Sequence, residues 1–336
     1  MPAVVWLILG LVALVFGAEL VVRAGARLAR RLGIPPIVVG LTVVSIGTSL
    51  PELAVGIDSV RVGAGSLAIG NIAGTNVVNI LLILGLSAAI RSLSVGLQTL
   101  RLDLPMMGGA ALLLYFFAAD GVLEVWEGAP LVLFAIVYTL LLMRWTRRES
   151  AFVVAEFAEE YPAEAEAEAG APEAATTRTV HTVRSTIMQA IVLLAGIGVT
   201  ILGADWLVDG AVEVASALGV SDALIGLTIV AIGTSAPELA TTIISTIRGE
   251  RDIAIGNLIG SSIYNLTIIL GITLLVAPGA VPIEPELVLI DLPIMVAVSF
   301  ALAPLMLSGR RVSRGEGVFM VAAYVAYLTF LILSRA

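Results

Sequence analysis

Glu52 and Glu238 each place a carboxylate in the middle of an otherwise apolar stretch. A carboxylate inside a membrane span is costly, and where one occurs it marks a functional site by default. The two lie in matching frames, Gly-Thr-Ser-Leu-Pro-Glu-Leu from Gly47 to Leu53 and Gly-Thr-Ser-Ala-Pro-Glu-Leu from Gly233 to Leu239. Pro51 and Pro237 lack an N–H and clash with the carbonyl four residues back, so each helix breaks just before its glutamate. Such a break is tolerated in a span where the freed backbone lines a cavity. It would expose carbonyls near Gly47 and Thr48, beside the hydroxyls of Thr48, Ser49, Thr234 and Ser235. A second motif follows each glutamate: Gly70-Asn71 with Gly74, Thr75 and Asn79, and Gly256-Asn257 with Gly260, Ser261 and Asn265. Thr75 and Asn79, like Ser261 and Asn265, are four apart and share a helix face. Asn79 and Asn265 follow their glutamates at one fixed spacing, which favours a ligand or carboxylate-orienting role. Every ligand atom on offer is oxygen, and the chain has no cysteine. That set suits hard cations and not zinc or copper. Calcium takes 6–8 oxygens, and the same atoms suit sodium.

These residues are positioned by a duplication. Gly40–Leu86 recurs as Gly226–Ile272 without a gap, and roughly half of the aligned positions are identical. Gly17–Ala26 aligns with Gly203–Val212 at the same offset, and Asp-Leu-Pro at Asp103 returns at Asp291. The chain is 59% hydrophobic and 13% charged, with mean hydropathy +1.06. Soluble domains carry roughly 25% charged residues. Apolar runs of about 20 residues, the length that crosses a bilayer as helix, recur along the whole chain. The expected fold is an all-α polytopic membrane protein of ten transmembrane helices, at about 3–23, 36–60, 66–90, 102–119, 129–146, 186–207, 222–247, 253–277, 286–308 and 315–334. The first has no basic leader or cleavage site and is read as a span, not a signal peptide. Three divisions are expected: a first five-helix repeat at 1–146, an acidic linker at 147–185 and a second five-helix repeat at 186–336. All 18 basic residues are arginines, and all but Arg61 and Arg335 fall in loops after odd-numbered spans or in the linker. By the positive-inside rule these loops are cytoplasmic and both termini lie outside. Five spans per copy is odd, so the second copy is inverted relative to the first. Inverted repeats meeting at a midplane site are a mark of secondary transporters.

Several polar residues read more simply. No arginine sits in the interior of a span to pair with Glu52 or Glu238. Glu19 and Asp205, near span ends, suit an interfacial role as well as a transport one. Asp103 and Asp291 precede prolines at span starts and read as helix N-caps. The glycines of the second motif let helices approach closely. The Glu-rich linker lacks the spaced oxygens and turn glycine of a tight calcium loop, and His181 stands alone in it.

With its paired G-T-S-x-P-E and G-N-x-x-G motifs, the chain resembles the sodium/calcium exchanger family of the cation/calcium antiporter superfamily, in its prokaryotic form, over nearly its whole length. The resemblance implies that Glu52 and Glu238 are the central cation ligands. Thr48 and Thr234 would add carbonyls for calcium. Ser49, Ser235, Thr75, Ser261, Asn79, Asn265 and carbonyls near Ser45 and Ala231 would complete the sodium sites. Some members carry an aspartate where this chain has one of its two asparagines, and the two amides here weigh against coupling to protons or potassium. The expectation is thus a carrier, not an enzyme, in the plasma membrane of a prokaryote. Its substrates would be Ca2+ and Na+ and its surroundings the lipid bilayer, with no cofactor, nucleic acid or obligate protein partner. Electrogenic exchange by alternating access is expected, the alternative being a calcium/proton antiporter using the same two glutamates.

Overall fold

Gly33 takes a left-handed turn at φ 64°, and Pro36 starts the next helix with φ already set, so the first break in the chain falls between them. The computed structural model describes residues 3–160, 175–218 and 231–335, with side chains described for 3–146, 186–218 and 232–333. Nine helices among the described residues are long and apolar enough to span a bilayer. They are α1 (Ala3–Leu32), α2 (Pro36–Arg61), α3 (Gly65–Ile90), α4 (Thr99–Ala118), α5 (Val125–Thr146), α6 (Thr186–Ala217), α8 (Arg251–Leu275), α9 (Leu287–Leu307) and α10 (Arg314–Leu333). The remaining span is described from Ala231: a turn of helix at Ala231–Thr234, a break at Ser235, then α7 (Ala236–Arg248). The expected start of that span at 222 lies outside the described residues, as do Asp222 and much of the linker. The architecture is the expected all-helical ten-span fold in two inverted repeats.

Two short strand pairs clasp the repeats together. In one, β1 (Leu93–Ser94) pairs antiparallel with β4 (Arg311–Val312); in the other, β2 (Val122–Leu123) pairs with β3 (Val281–Pro282). Each joins a loop of one repeat to a loop of the other. The main hydrophobic core runs through α2–α5 and α8–α10 and contains no residue of α1 or α6. Those two helices pack chiefly on each other, with a small cluster of Val21, Ala24, Leu28, Leu193 and Ile197 facing Val39 and Val44 of α2. Glycines bring them together. A Cβ on Gly203 would lie 2.3 Å from the Leu14 nitrogen, and one on Gly17 would lie 2.5 Å from that of Thr200. Close contact of this kind supplies the packing that drives helix pairing in lipid.

Asp103 and Asp291 are not N-caps. Both sit inside continuous helix, at the last residue of π-helical segments Thr99–Asp103 and Leu287–Asp291, and neither makes a capping bond. Their carboxylates instead accept from tyrosines of the next helix: Tyr138 Oη–Asp103 Oδ1 is 3.1 Å and Tyr327 Oη–Asp291 Oδ1 is 3.2 Å. Gln98 also donates to Asp103, at 3.4 Å. Buried carboxylates require donors, and here the repeat provides the same one twice.

Candidate cation site

The proline breaks fall where the sequence places them. The helix ends at Thr48, Ser49 leaves the helical region at φ −86°, ψ 7°, and Pro51 occupies the first turn of the continuing helix. Ser235 repeats this at φ −89°, ψ 7°, ahead of Pro237. Glu52 and Glu238 therefore project from the first turns of two helical segments, where the aligned peptide dipoles favour negative charge. Both are fully buried. No arginine among the described residues pairs with either. Among the described residues, Glu52 has no hydrogen-bond partner at either oxygen, and Glu238 has none at Oε2.

The site is assembled across the repeats. Ser49 Oγ donates to Glu238 Oε1 at 3.3 Å. Thr48 Oγ1 donates to Asn257 Oδ1 at 3.3 Å, and Thr234 Oγ1 to Asn71 Oδ1 at 3.5 Å. Ser45 Oγ donates to the carbonyls of Gly40 and Asn257, while the Ser45 carbonyl accepts from the Ser49 N–H and from Ser261 Oγ. Asn79 lies on a π-helical segment, Val78–Leu84, that packs on α7; Asn265 begins another, Asn265–Ile269, that packs on the Glu52 half of α2. Wide turns of this type recur at functional sites. Ala231 opens the short helical turn before the second break, and its side chain lies outside the described residues.

Buried polar side-chain atoms without a protein partner are rare in native folds. Here most of them belong to the expected set: Glu52, Glu238, Thr75, Asn79, Asn265 and Ser235. Thr48, Ser49, Ser45 and Ser261 donate their hydroxyl protons to protein acceptors, which leaves their oxygen lone pairs free to face a cation. Asn71 and Asn257 were not among the expected ligands, yet they receive the two threonine hydroxyls. Their signal was present in the Gly-Asn pair shared by both copies.

Glycine keeps the interleaved helices close. A Cβ on Gly260 would lie 2.3 Å from Ser45 Oγ, and one on Gly256 would lie 2.6 Å from the Ile37 carbonyl. The stretch of the second repeat that corresponds to this wall of α2 lies outside the described residues.

Glu19 is held in ion pairs between α1 and α7. It accepts from Arg248 through both oxygens, at 2.6 and 3.0 Å, and pairs with Arg23. Arg30 meets Glu250 at 3.5 Å.

An inverted-repeat membrane carrier with a buried, oxygen-only, doubly acidic centre is the class that this fold and site define. The family model for the sodium/calcium exchanger protein matches residues 2–144 and 188–333. The chain belongs to the sodium/calcium exchanger family. It is 34% identical to the putative antiporter CaxA of Alkalimonas amylolytica, over 99% of both chains. It is 31% identical to the sodium/calcium exchanger MaX1 of Methanosarcina acetivorans, over 97% of both. A solved structure of the sodium-calcium exchanger NCX_Mj, soaked with 10 mM Na+ and zero Ca2+, superposes with a TM-score of 0.79 at 28% identity, covering 97% of this chain and 98% of that one. The protein is therefore a cation/calcium antiporter of the multi-pass membrane type, not an enzyme.

Proposed function

We propose that this protein exchanges Na+ for Ca2+ electrogenically by alternating access, with Glu52 and Glu238 as the shared central ligands. The observation that carries the reading is the pair of fully buried glutamates among polar atoms that have no partner among the described residues. Leaving such groups unpaired costs about 1–3 kcal/mol each, more when charged, and a bound cation offsets that cost. One Ca2+ neutralises the two carboxylates, and so do two Na+. A third Na+ on the neutral oxygens of Ser49, Ser235, Thr75, Ser261, Asn79 and Asn265 makes the cycle carry net charge. Thr48 and Thr234, with carbonyls near Ser45 and Ala231, complete the proposed shells. Competition for one pair of carboxylates couples the two fluxes, because an empty and doubly charged site resists enclosure in low dielectric.

The α1–α6 pair is the element that moves. Its support is the separate packing of that pair outside the core tied together by the strand clasps. The repeats are assigned to 1–146 and 186–336, the linker at 147–185 to the cytoplasm, and both termini to the outside, on the arginine distribution. Glu52→Gln keeps the shape and removes one charge. Reconstituted Glu52→Gln protein should lose calcium flux by at least about 100-fold, in line with loss of a direct ligand and more than the loss expected for an outer partner. Robust uptake by that variant rules the ligand assignment out.

A further inference from the structure

The two halves of the site are not held equally. Thr241 and Thr242 lie one turn beyond Glu238 on α7 and are fully buried. Asn257 Nδ2 donates to Thr241 Oγ1 at 2.9 Å and to Thr242 Oγ1 at 3.2 Å. Thr241 in turn donates its own hydroxyl proton to the Pro237 carbonyl at 2.7 Å. Thr48 donates to Asn257 Oδ1 at 3.3 Å, with the Ser45 carbonyl as a second acceptor at 3.4 Å. A continuous chain runs from Thr48 of the first repeat, through Asn257 and Thr241, to the carbonyl of the residue before Glu238. Ser49, the neighbour of Thr48, bonds Glu238 directly.

Among the described residues, the other half shows no such chain. Thr234 reaches Asn71, but the positions matching Thr241 and Thr242 are Val55 and Gly56. Neither has a hydroxyl, and Asn71 Nδ2 has no partner among the described residues. The space at Gly56 is filled from α8: a Cβ there would lie 2.6 Å from Thr273 Oγ1. Among the described residues, the Glu52 carboxylate correspondingly has no hydrogen-bond donor, while Glu238 accepts from Ser49.

We infer that Thr241 and Thr242 are positioning residues that lock Asn257, and through it Thr48 and the Glu238 turn, so that Glu238 is the fixed arm of the cation site and Glu52 the compliant one. Partners in the outer shell of a metal site orient its ligands, and removing them costs about 10–100-fold in affinity. The inference rests on the cation-site reading above and adds a division of labour that the duplicated motifs conceal, since Glu52 and Glu238 occupy matching positions.

The test uses the full-length chain with Thr241 and Thr242 both changed to Val, a near-isosteric change that removes the hydroxyls, and a matching double Thr→Ser variant that keeps them. Two readouts are taken: stabilisation of the purified protein against thermal unfolding by Ca2+ alone, and calcium flux as a function of calcium concentration. The double Thr→Val variant should need about tenfold more Ca2+ for half-maximal response, with a maximal rate within about twofold of the parent. The double Thr→Ser variant should return to within about twofold of the parent, because serine supplies the same acceptors. If the double Thr→Val protein does not fold, the single changes carry the test, Thr241→Val giving the larger shift because it breaks both bonds of the chain. Native calcium dependence in the Thr→Val proteins, or failure of the Thr→Ser variant to restore it, overturns the inference. A parent protein that shows no calcium response in either readout overturns the cation-site reading itself, which separates the two failures.

Discussion

At the level of single residues, the sequence marks the site because duplication turns weak signals into a pair. Glu52 and Glu238, the two proline breaks and Asn79 and Asn265 can all be read from motif spacing alone. The roles of Asn71 and Asn257 cannot. Each precedes its partner asparagine by eight residues, and π-helical turns at Val78 and Asn265 shift the helix faces locally, so the face each amide presents follows from the folded backbone. Asp103 and Asp291 depart from the N-cap expectation for a related reason. An Asp two residues before Pro fits a helix start, but π-helical turns carry the helix upstream and free the carboxylates for tyrosine. Removing the Tyr138 hydroxyl leaves a buried carboxylate short of a donor, a loss of about 1–3 kcal/mol. Tyr138→Phe should therefore lower the thermal unfolding midpoint of the purified protein, and adding Asp103→Asn should recover part of the loss; an unchanged midpoint in Tyr138→Phe contradicts the pairing.

Between helices, the structure separates a clasped core from a two-helix layer. Period and hydropathy locate nearly every span, but they do not report which helices share a core. The α1–α6 seam was legible only in part. Gly10 and Gly17 recur at Gly196 and Gly203, while the backbone contact they permit is a property of the packed pair. Gly203→Val would force the seam apart, since overpacking a close contact costs about 1–3 kcal/mol. Exchange should slow several-fold in Gly203→Val. Gly198→Val on the exposed face of the same helix, where a Cβ meets nothing within 4 Å, should exchange at the parent rate; equal rates in the two variants contradict the seam. The ion pairs joining Glu19 to Arg23 and Arg248, and Arg30 to Glu250, are half exposed on the arginine side. Exposed pairs contribute only about 0–1 kcal/mol, so they adjust how α1 rests on α7 without holding the fold together.

For the whole molecule, an odd number of spans per repeat gives the inverted arrangement, and the proposed direction in the membrane rests on arginine placement. The chain has no cysteine, so a single introduced one reports sidedness without background. Ser94→Cys, in the loop after α3, should react with an impermeant thiol reagent only from the cytoplasmic side, and Val62→Cys, after α2, only from outside. The reverse pattern contradicts the orientation. The central claim is that sodium and calcium compete for Glu52 and Glu238. Its most direct test is calcium uptake into proteoliposomes at clamped voltage, loaded with sodium in one arm and given an outward proton gradient without sodium in the other. The account predicts uptake only with internal sodium, at a rate that changes with voltage. Uptake driven by protons in the absence of sodium would contradict it and make the two glutamates proton carriers.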